Sequence, residues 1–118
     1  ITIGAVAEAM MLVEAGGADR GKFRDAIRGG FAESRILELH GKRMVERSFE
    51  PGGPSRLQLK DLDAVAAMAE TLSLELPLTE GVRDEFRAFV ESGHGEKDHS
   101  GLLLHLERLN NREPEEDQ

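Results

Sequence analysis

The chain has 118 residues, no cysteine and a formal net charge of −8, with 39% hydrophobic, 32% charged and only 4% aromatic residues. That length holds one domain with its own core, and the missing cysteines exclude disulfides and cysteine-based zinc sites. Half of the net charge comes from Glu113, Glu115, Glu116 and Asp117 near the end, and the bases are scattered rather than striped, which argues against nucleic-acid binding.

With neither Trp nor Tyr, packing rests on Leu, Ala, Val, Ile and Met, a composition that points to helix-on-helix packing. Ile1–Ala15 is apolar almost all round, with Thr2, Glu8 and Glu14 as its strongly polar side chains. It is shorter than the ~20 apolar residues of a membrane span, and it lacks the basic lead of a signal peptide. It reads as a buried helix that other helices wrap or a second subunit covers. No capping residue or Met precedes it, so the expectation is a chain that starts inside a helix, a fragment of something longer.

Gly16-Gly17 marks the end of this first helix. Asp19 is placed to cap a second helix over Arg20–Arg28, with Phe23, Ala26 and Ile27 facing inward and Gly29-Gly30 ending it. Ser34 is placed to cap a third, carrying Ile36, Leu37 and Leu39 and extending to Met44 and Val45 if it passes Gly41, which leaves its far end open. Phe49–Ser55 is turn material, Pro51 and Pro54 bracketing Gly52-Gly53. A fourth helix follows, with Leu59, Leu62, Val65, Ala66, Ala69 and Leu72 recurring on one face.

Lys60-Asp61 falls in the expected first turn of that helix. A carboxylate suits that position, whereas an ammonium near a helix N-terminus is disfavoured. A broken local rule beside a Gly/Pro loop marks a place to look for function. Further on, Pro77 fits the first turn of a fifth helix with Val82, Phe86, Phe89 and Val90 on one side. Asp98 fits the cap of a sixth, with Leu102, Leu103, Leu106 and Leu109. From Asn110 the chain is polar and acidic, and disorder is expected. No segment alternates as a strand does, so the expectation is all-α, an irregular bundle of about six helices.

His94, Asp98, His99 and His105 lie within twelve residues, but a helical two-histidine metal site uses i, i+4 spacing, which is absent here. We read them as polar residues around a helix start, and no metal site is expected. Glu8 and Glu14 lack an opposing carboxylate and read as edge or paired acids. The glycines form no phosphate-cradling loop, and Ser34 is explained by capping. Lys60-Asp61 remains, and by residue type alone it is either an exposed junction lysine or a contact for an anionic small molecule.

Two stretches, AVAEAMMLVEAGGADRGKFRDAIRGG and FEPGGPSRLQLKDLDAVAAMAETLSLELPLTEGVRDEFRAFVESGHGEKDHSGLLL, follow a known pattern in the order of "EA…G…D", "F-x-P-G…KDL", "LPLT" and "G-x-x-x-x-DHS". The chain resembles the C-terminal helical domain of the β-hydroxyacid dehydrogenases, the group of 3-hydroxyisobutyrate dehydrogenase and tartronate semialdehyde reductase, related to 6-phosphogluconate dehydrogenase. The resemblance covers residues 1–111, taken as the domain, with 112–118 as an acidic disordered tail. It implies an NAD(P)-dependent cytoplasmic oxidoreductase acting on a small hydroxy acid or semialdehyde, with NAD or NADP bound mainly by a Rossmann domain outside this chain. It also implies a homodimer or homotetramer formed through the helical domain, and no membrane or nucleic-acid partner.

The family's catalytic lysine, in G-x-x-x-K-x-x-N-N, has no counterpart here and is expected upstream of Ile1, so this fragment alone should be inactive. The carried-over site is the lysine of KDL, Lys60, as a cofactor contact, with Asp61 ordering it. One departure is Gly53, where many members carry an aromatic residue near the substrate pocket, so the substrate class stays open. The rival reading is a stand-alone helical interaction module with the apolar first helix as its partner surface.

Overall fold

The computed structural model describes residues 1–114. The tail expected over 112–118 therefore lies, from residue 115 onward, outside the described residues. Among the described residues the chain is all-α, with six α-helices, two π-helical segments and one 3-10 turn. The only extended pairing among them is an isolated antiparallel bridge between Pro54 and Asp98. None of the described helices is long and apolar enough to cross a membrane. The chain divides into two compact units, one of Glu50–His99 with Ile1, the other of Thr2–Phe49 and the segment from Ser100 onward.

In the second unit, α1 (Thr2–Ala15) buries Ile3, Ala7, Met10 and Met11. It packs on α6 (Leu102–Leu109), on α2 (Arg20–Ile27) and on a π-helical segment, Leu37–Gly41. Its coverage within this unit is one-sided, with Leu12 72% exposed. Asp19 caps α2 as expected, its carboxylate accepting the Lys22 N–H at 2.9 Å. This helix buries no residue. Phe23 and Ile27 are half-buried and Ala26, expected to face inward, is exposed.

Ser34 Oγ accepts the Leu37 N–H at 2.8 Å, the expected cap. Helical geometry then runs straight through Gly41 into α3 (Lys42–Glu46). Gly41 belongs inside this helix because an added Cβ would stand 3.2 Å from Leu37 Cδ1 and 3.6 Å from Met10 Cε, so its hydrogen permits the close approach of α1.

Four chain segments of this unit meet at Glu107, a carboxylate whose side chain is 1% exposed. Arg47, just past α3, donates to both of its oxygens at 2.8 and 3.1 Å. Arg20, at the start of α2, donates at 3.2 Å and also reaches the Met10 carbonyl and Glu14 near the end of α1. Glu14 is thus the paired acid that the sequence led us to expect.

The first unit is a helical hairpin. α4 (Ser55–Thr71) turns at Leu72–Leu76 into α5 (Pro77–Phe89), with Pro77 in the first turn as expected. The helices run antiparallel: Arg56 pairs with Glu96, and Asp63 with Arg87 and Arg83. A π-helical segment, Val90–His94, extends α5, and Gly93 turns out of it at φ +98°, a conformation that suits glycine.

Phe86 and Phe89 are buried, as are Leu62 and Ala69, which stand seven residues apart on α4. Val65 and Leu72, expected on that same face, are instead 45% and 59% exposed. The reason is that α4 has two apolar stripes. Leu57, Val65, Met68 and Leu72 form a second one, and all four are exposed among the described residues.

Glu107→Gln removes the charge that two guanidiniums share in a buried setting. We expect a loss of about 3 kcal/mol, typical of breaking a buried pair from one side, read from chemical denaturation. In the hairpin, hydrogen bonding from Arg83, together with the charge of Arg87, holds the Asp63 carboxyl below the usual carboxylate range. A depressed carboxylate stabilises the fold above its unfolded pKa, and that contribution vanishes as pH falls through the folded value. Asp63→Asn should therefore lower the melting temperature at neutral pH, with the gap to wild type closing in acid. The gap should be modest, since all three side chains are about a third or more exposed to solvent.

Candidate functional site

The loop before α4 sets a problem of hydrogen bonding. Pro51 and Pro54 have no N–H to give, which leaves the Gly52 and Gly53 amides between them as donors. Both donate to one carboxylate oxygen, Asp98 Oδ1, at 2.9 and 3.0 Å. Asp98 is fully buried. A buried carboxylate is costly unless hydrogen-bonded, and here two backbone donors meet that need.

The same segment completes the start of α4. Pro54 stands at the N-cap and offers no side-chain cap. In its place, the Ser55 N–H donates to Lys97 O at 2.8 Å and the Arg56 N–H to Gly95 O at 2.9 Å. Ser55 Oγ donates to Lys97 O and Asp98 O, and the His99 N–H returns to Gly53 O at 2.8 Å. His99 Nδ1 lies 3.1 Å from Gln58 Oε1. A Cβ on Gly53 would stand 3.2 Å from His99 Cε1, so a larger residue there requires the His99 ring to shift by a few tenths of an ångström. The loop at 52–55 and the segment at 95–99 thus clasp each other across some forty residues.

Asp98 does not cap α6 as the sequence led us to expect. That helix starts at Leu102 behind Gly101 with no side-chain cap, and one oxygen of the acid serves the glycine loop. Locally a capping Asp and an Asp that reaches a distant loop look the same. The signal that separates them is the glycine pair, whose amides require an acceptor from somewhere in the chain.

Lys60 and Asp61 also shift in register. α4 begins at Ser55, immediately after Pro54, so Lys60 is its sixth residue and sits in the second turn. The macrodipole acts mainly within the first turn, so the expected conflict between ammonium and helix end largely disappears. Both residues are exposed. Neither side chain makes a hydrogen bond or ion pair among the described residues. Lys60 therefore presents a free ammonium from a helix whose start is fixed by the clasp.

His94 and His105 stand in different surroundings. His94 stacks on Phe89, ring centroids 5.0 Å apart and planes 6° from parallel, and its Nδ1 is 2.9 Å from Ser92 Oγ. His105 on α6 has its pKa lowered by desolvation, with a smaller push from the nearby Arg108 cation.

The fold and these motifs agree with comparisons to known proteins. The profile of the family described as "NAD-binding of NADP-dependent 3-hydroxyisobutyrate dehydrogenase" matches residues 1–106. The 2-hydroxy-3-oxopropionate reductase of Escherichia coli K12 is 41% identical over 111 residues, 94% of this chain and 38% of that protein. A probable mitochondrial 3-hydroxyisobutyrate dehydrogenase-like protein of Arabidopsis thaliana is 33% identical over 104 residues, 88% of this chain and 31% of the relative. Among solved structures, a 3-hydroxyisobutyrate dehydrogenase from Salmonella typhimurium superposes with a TM-score of 0.83 at 27% identity, over 86% of this chain and 36% of that one. The chain thus spans between 31% and 38% of the length of these proteins. The chain belongs to the NAD-binding family of NADP-dependent 3-hydroxyisobutyrate dehydrogenase.

Proposed function

We propose that residues 1–111 are the helical C-terminal domain of a cytoplasmic NAD(P)-dependent β-hydroxyacid dehydrogenase, and that Lys60 contacts its cofactor, with Asp61 beside it ordering the contact. The observation that carries the reading is the family match over residues 1–106, joined to an exposed ammonium in the KDL motif. In such an enzyme the nicotinamide exchanges hydride with the carbon that bears the hydroxyl or carbonyl of a small acid.

The part played by this chain is binding and positioning. A lysine ammonium is a compact, strongly hydrated point charge suited to an anionic group. The amides of Gly52 and Gly53 are already taken by Asp98, so the loop backbone does not serve as a phosphate cradle. The proton-transferring lysine and the dinucleotide fold belong to the rest of the enzyme, and this chain alone should turn nothing over.

Exposed apolar side chains on α1 and α4, Leu12, Met68 and Leu72 among them, favour association through the helical domain as a homodimer or homotetramer. They equally favour the rival reading of an interaction module without catalysis, which predicts no cofactor binding at all.

The test uses the full-length protein with a panel of 2- and 3-hydroxy acids and semialdehydes, and both NAD and NADP. We expect turnover with at least one pair. Lys60→Ala should weaken cofactor binding about tenfold, the weight of one hydrogen bond to a charged group, while the fold is kept. Absence of any NAD(P) binding or turnover would leave the interaction module standing. Unchanged affinity in Lys60→Ala would take Lys60 out of the site.

A further inference from the structure

We infer that Asp98 is a positioning residue for the cofactor side of this domain: through the Gly52-Gly53 loop and the first turn of α4, its carboxylate sets where Lys60 stands. The inference rests on Lys60 being a cofactor contact, as proposed above, and adds to it a residue with no contact of its own to the ligand.

Three observations carry it. First, Asp98 is fully buried, and its Oδ1 gathers two amides from a loop more than forty residues away in sequence. A chelated backbone pair fixes the loop in position and in orientation, which a single hydrogen bond does not. Second, the bonds that begin α4 depend on this contact. Ser55 and Arg56 reach Lys97 O and Gly95 O in the same two segments that the isolated bridge between Pro54 and Asp98 joins. With no cap from its own N-cap residue, α4 takes its starting point from the clasp.

Third, Lys60 lies five residues beyond Ser55 on the same helix, about 7.5 Å along its axis. A stiff helix of this length carries a shift or tilt of its first turn directly to that side chain. A shift of about 1 Å at a binding group is enough to cost much of its contact.

Asparagine preserves the acceptor that matters. Its amide oxygen can receive both glycine N–H groups, while the charge is lost and the second oxygen becomes an NH2 donor. Alanine removes the shared acceptor of the two glycine N–H groups. The pair separates positioning from the effect of charge.

The experiment takes the full-length protein as wild type, Asp98→Ala, Asp98→Asn, Lys60→Ala and the double variant Asp98→Ala/Lys60→Ala. It reads cofactor Kd, kcat at saturating cofactor, and amide hydrogen exchange at Gly52, Gly53 and Ser55. We expect Asp98→Ala to raise cofactor Kd by about tenfold, no more than Lys60→Ala does. Its kcat at saturation should stay within about twofold, and Asp98→Asn should restore most of the affinity. The double variant should bind about as weakly as Lys60→Ala alone, since residues that act through one contact are not additive.

Full additivity of the two substitutions, or wild-type affinity in a folded Asp98→Ala protein, would overturn the inference. If Lys60→Ala itself binds normally, the cofactor reading of Lys60 has failed. The Asp98 claim is then decided by exchange alone: faster exchange at the three amides in Asp98→Ala supports positioning, and wild-type protection overturns it. Should Asp98→Ala not fold, Ser55→Ala removes the Oγ bonds to Lys97 O and Asp98 O in the same clasp and must show the same non-additivity with Lys60→Ala.

Discussion

The hairpin depends on a constraint of the peptide backbone: amides withdrawn from water must find acceptors. In the loop ahead of α4 two prolines remove donors and two glycines supply them. The chain answers with a buried aspartate from the far end of the hairpin. Once that contact forms, the carbonyls at residues 95 and 97 fall where the first helical amides need them, and the start of α4 is fixed without a capping side chain. A single carboxylate therefore decides the geometry of a loop, the origin of a 17-residue helix and the path of the segment that closes the hairpin.

In the other unit the organising contact is also a buried carboxylate, with a different balance of energies. Helices of 8 and 5 residues such as α2 and α3 are too short to persist alone in water, and α2 buries nothing outright. Glu107 gathers a guanidinium from each side of that pair, at Arg20 and Arg47, and Arg20 passes the link on to α1 through the Met10 carbonyl. The desolvation cost of such a cluster largely offsets its Coulomb gain. Its effect is to fix the arrangement of short helices, while Leu102, Leu103, Met10 and Met44, all fully buried, supply the net driving force.

Much of this was legible in the sequence where the signal is local. Asp19 and Ser34 cap as their residue types imply, Pro77 opens α5, and the periodicity of Phe86 and Phe89 marks the face that becomes buried. The order of motifs, from Glu14-Ala15 to Asp98-His99-Ser100, carried the family. What failed was what depends on distant partners. Asp98 has the local context of a cap and the job of a long-range acceptor. α4 has two apolar stripes, and periodicity states that both exist without saying which is covered. Gly41 looked like punctuation, yet it lies inside a helix because Met10 packs close to it. The start of α4 was placed too late because apolar spacing becomes visible only at Leu59, whereas helical hydrogen bonding begins as soon as Pro54 ends.

That correction changes why Lys60 is worth attention. As a first-turn residue it would have been a strained cation, tolerated for function. In the second turn it carries little electrostatic penalty, and the case for it rests on supply instead. A helix N-terminus ordinarily offers free amides to an anion, but the first amides of α4 are bonded to Gly95 O, Lys97 O and Pro54 O, and the glycine loop is bonded to Asp98. Backbone donors at this end of the hairpin are used up by the fold itself. An anion approaching α4 here meets side-chain charge, and Arg56 already shares its charge with Glu96 while Lys60 does not. A long lysine side chain gives little affinity when its base wanders, because its ordering costs entropy. Fixing the helix from which it projects lowers that cost. The clasp that consumes the backbone donors is thus the same structure that makes the remaining cation useful.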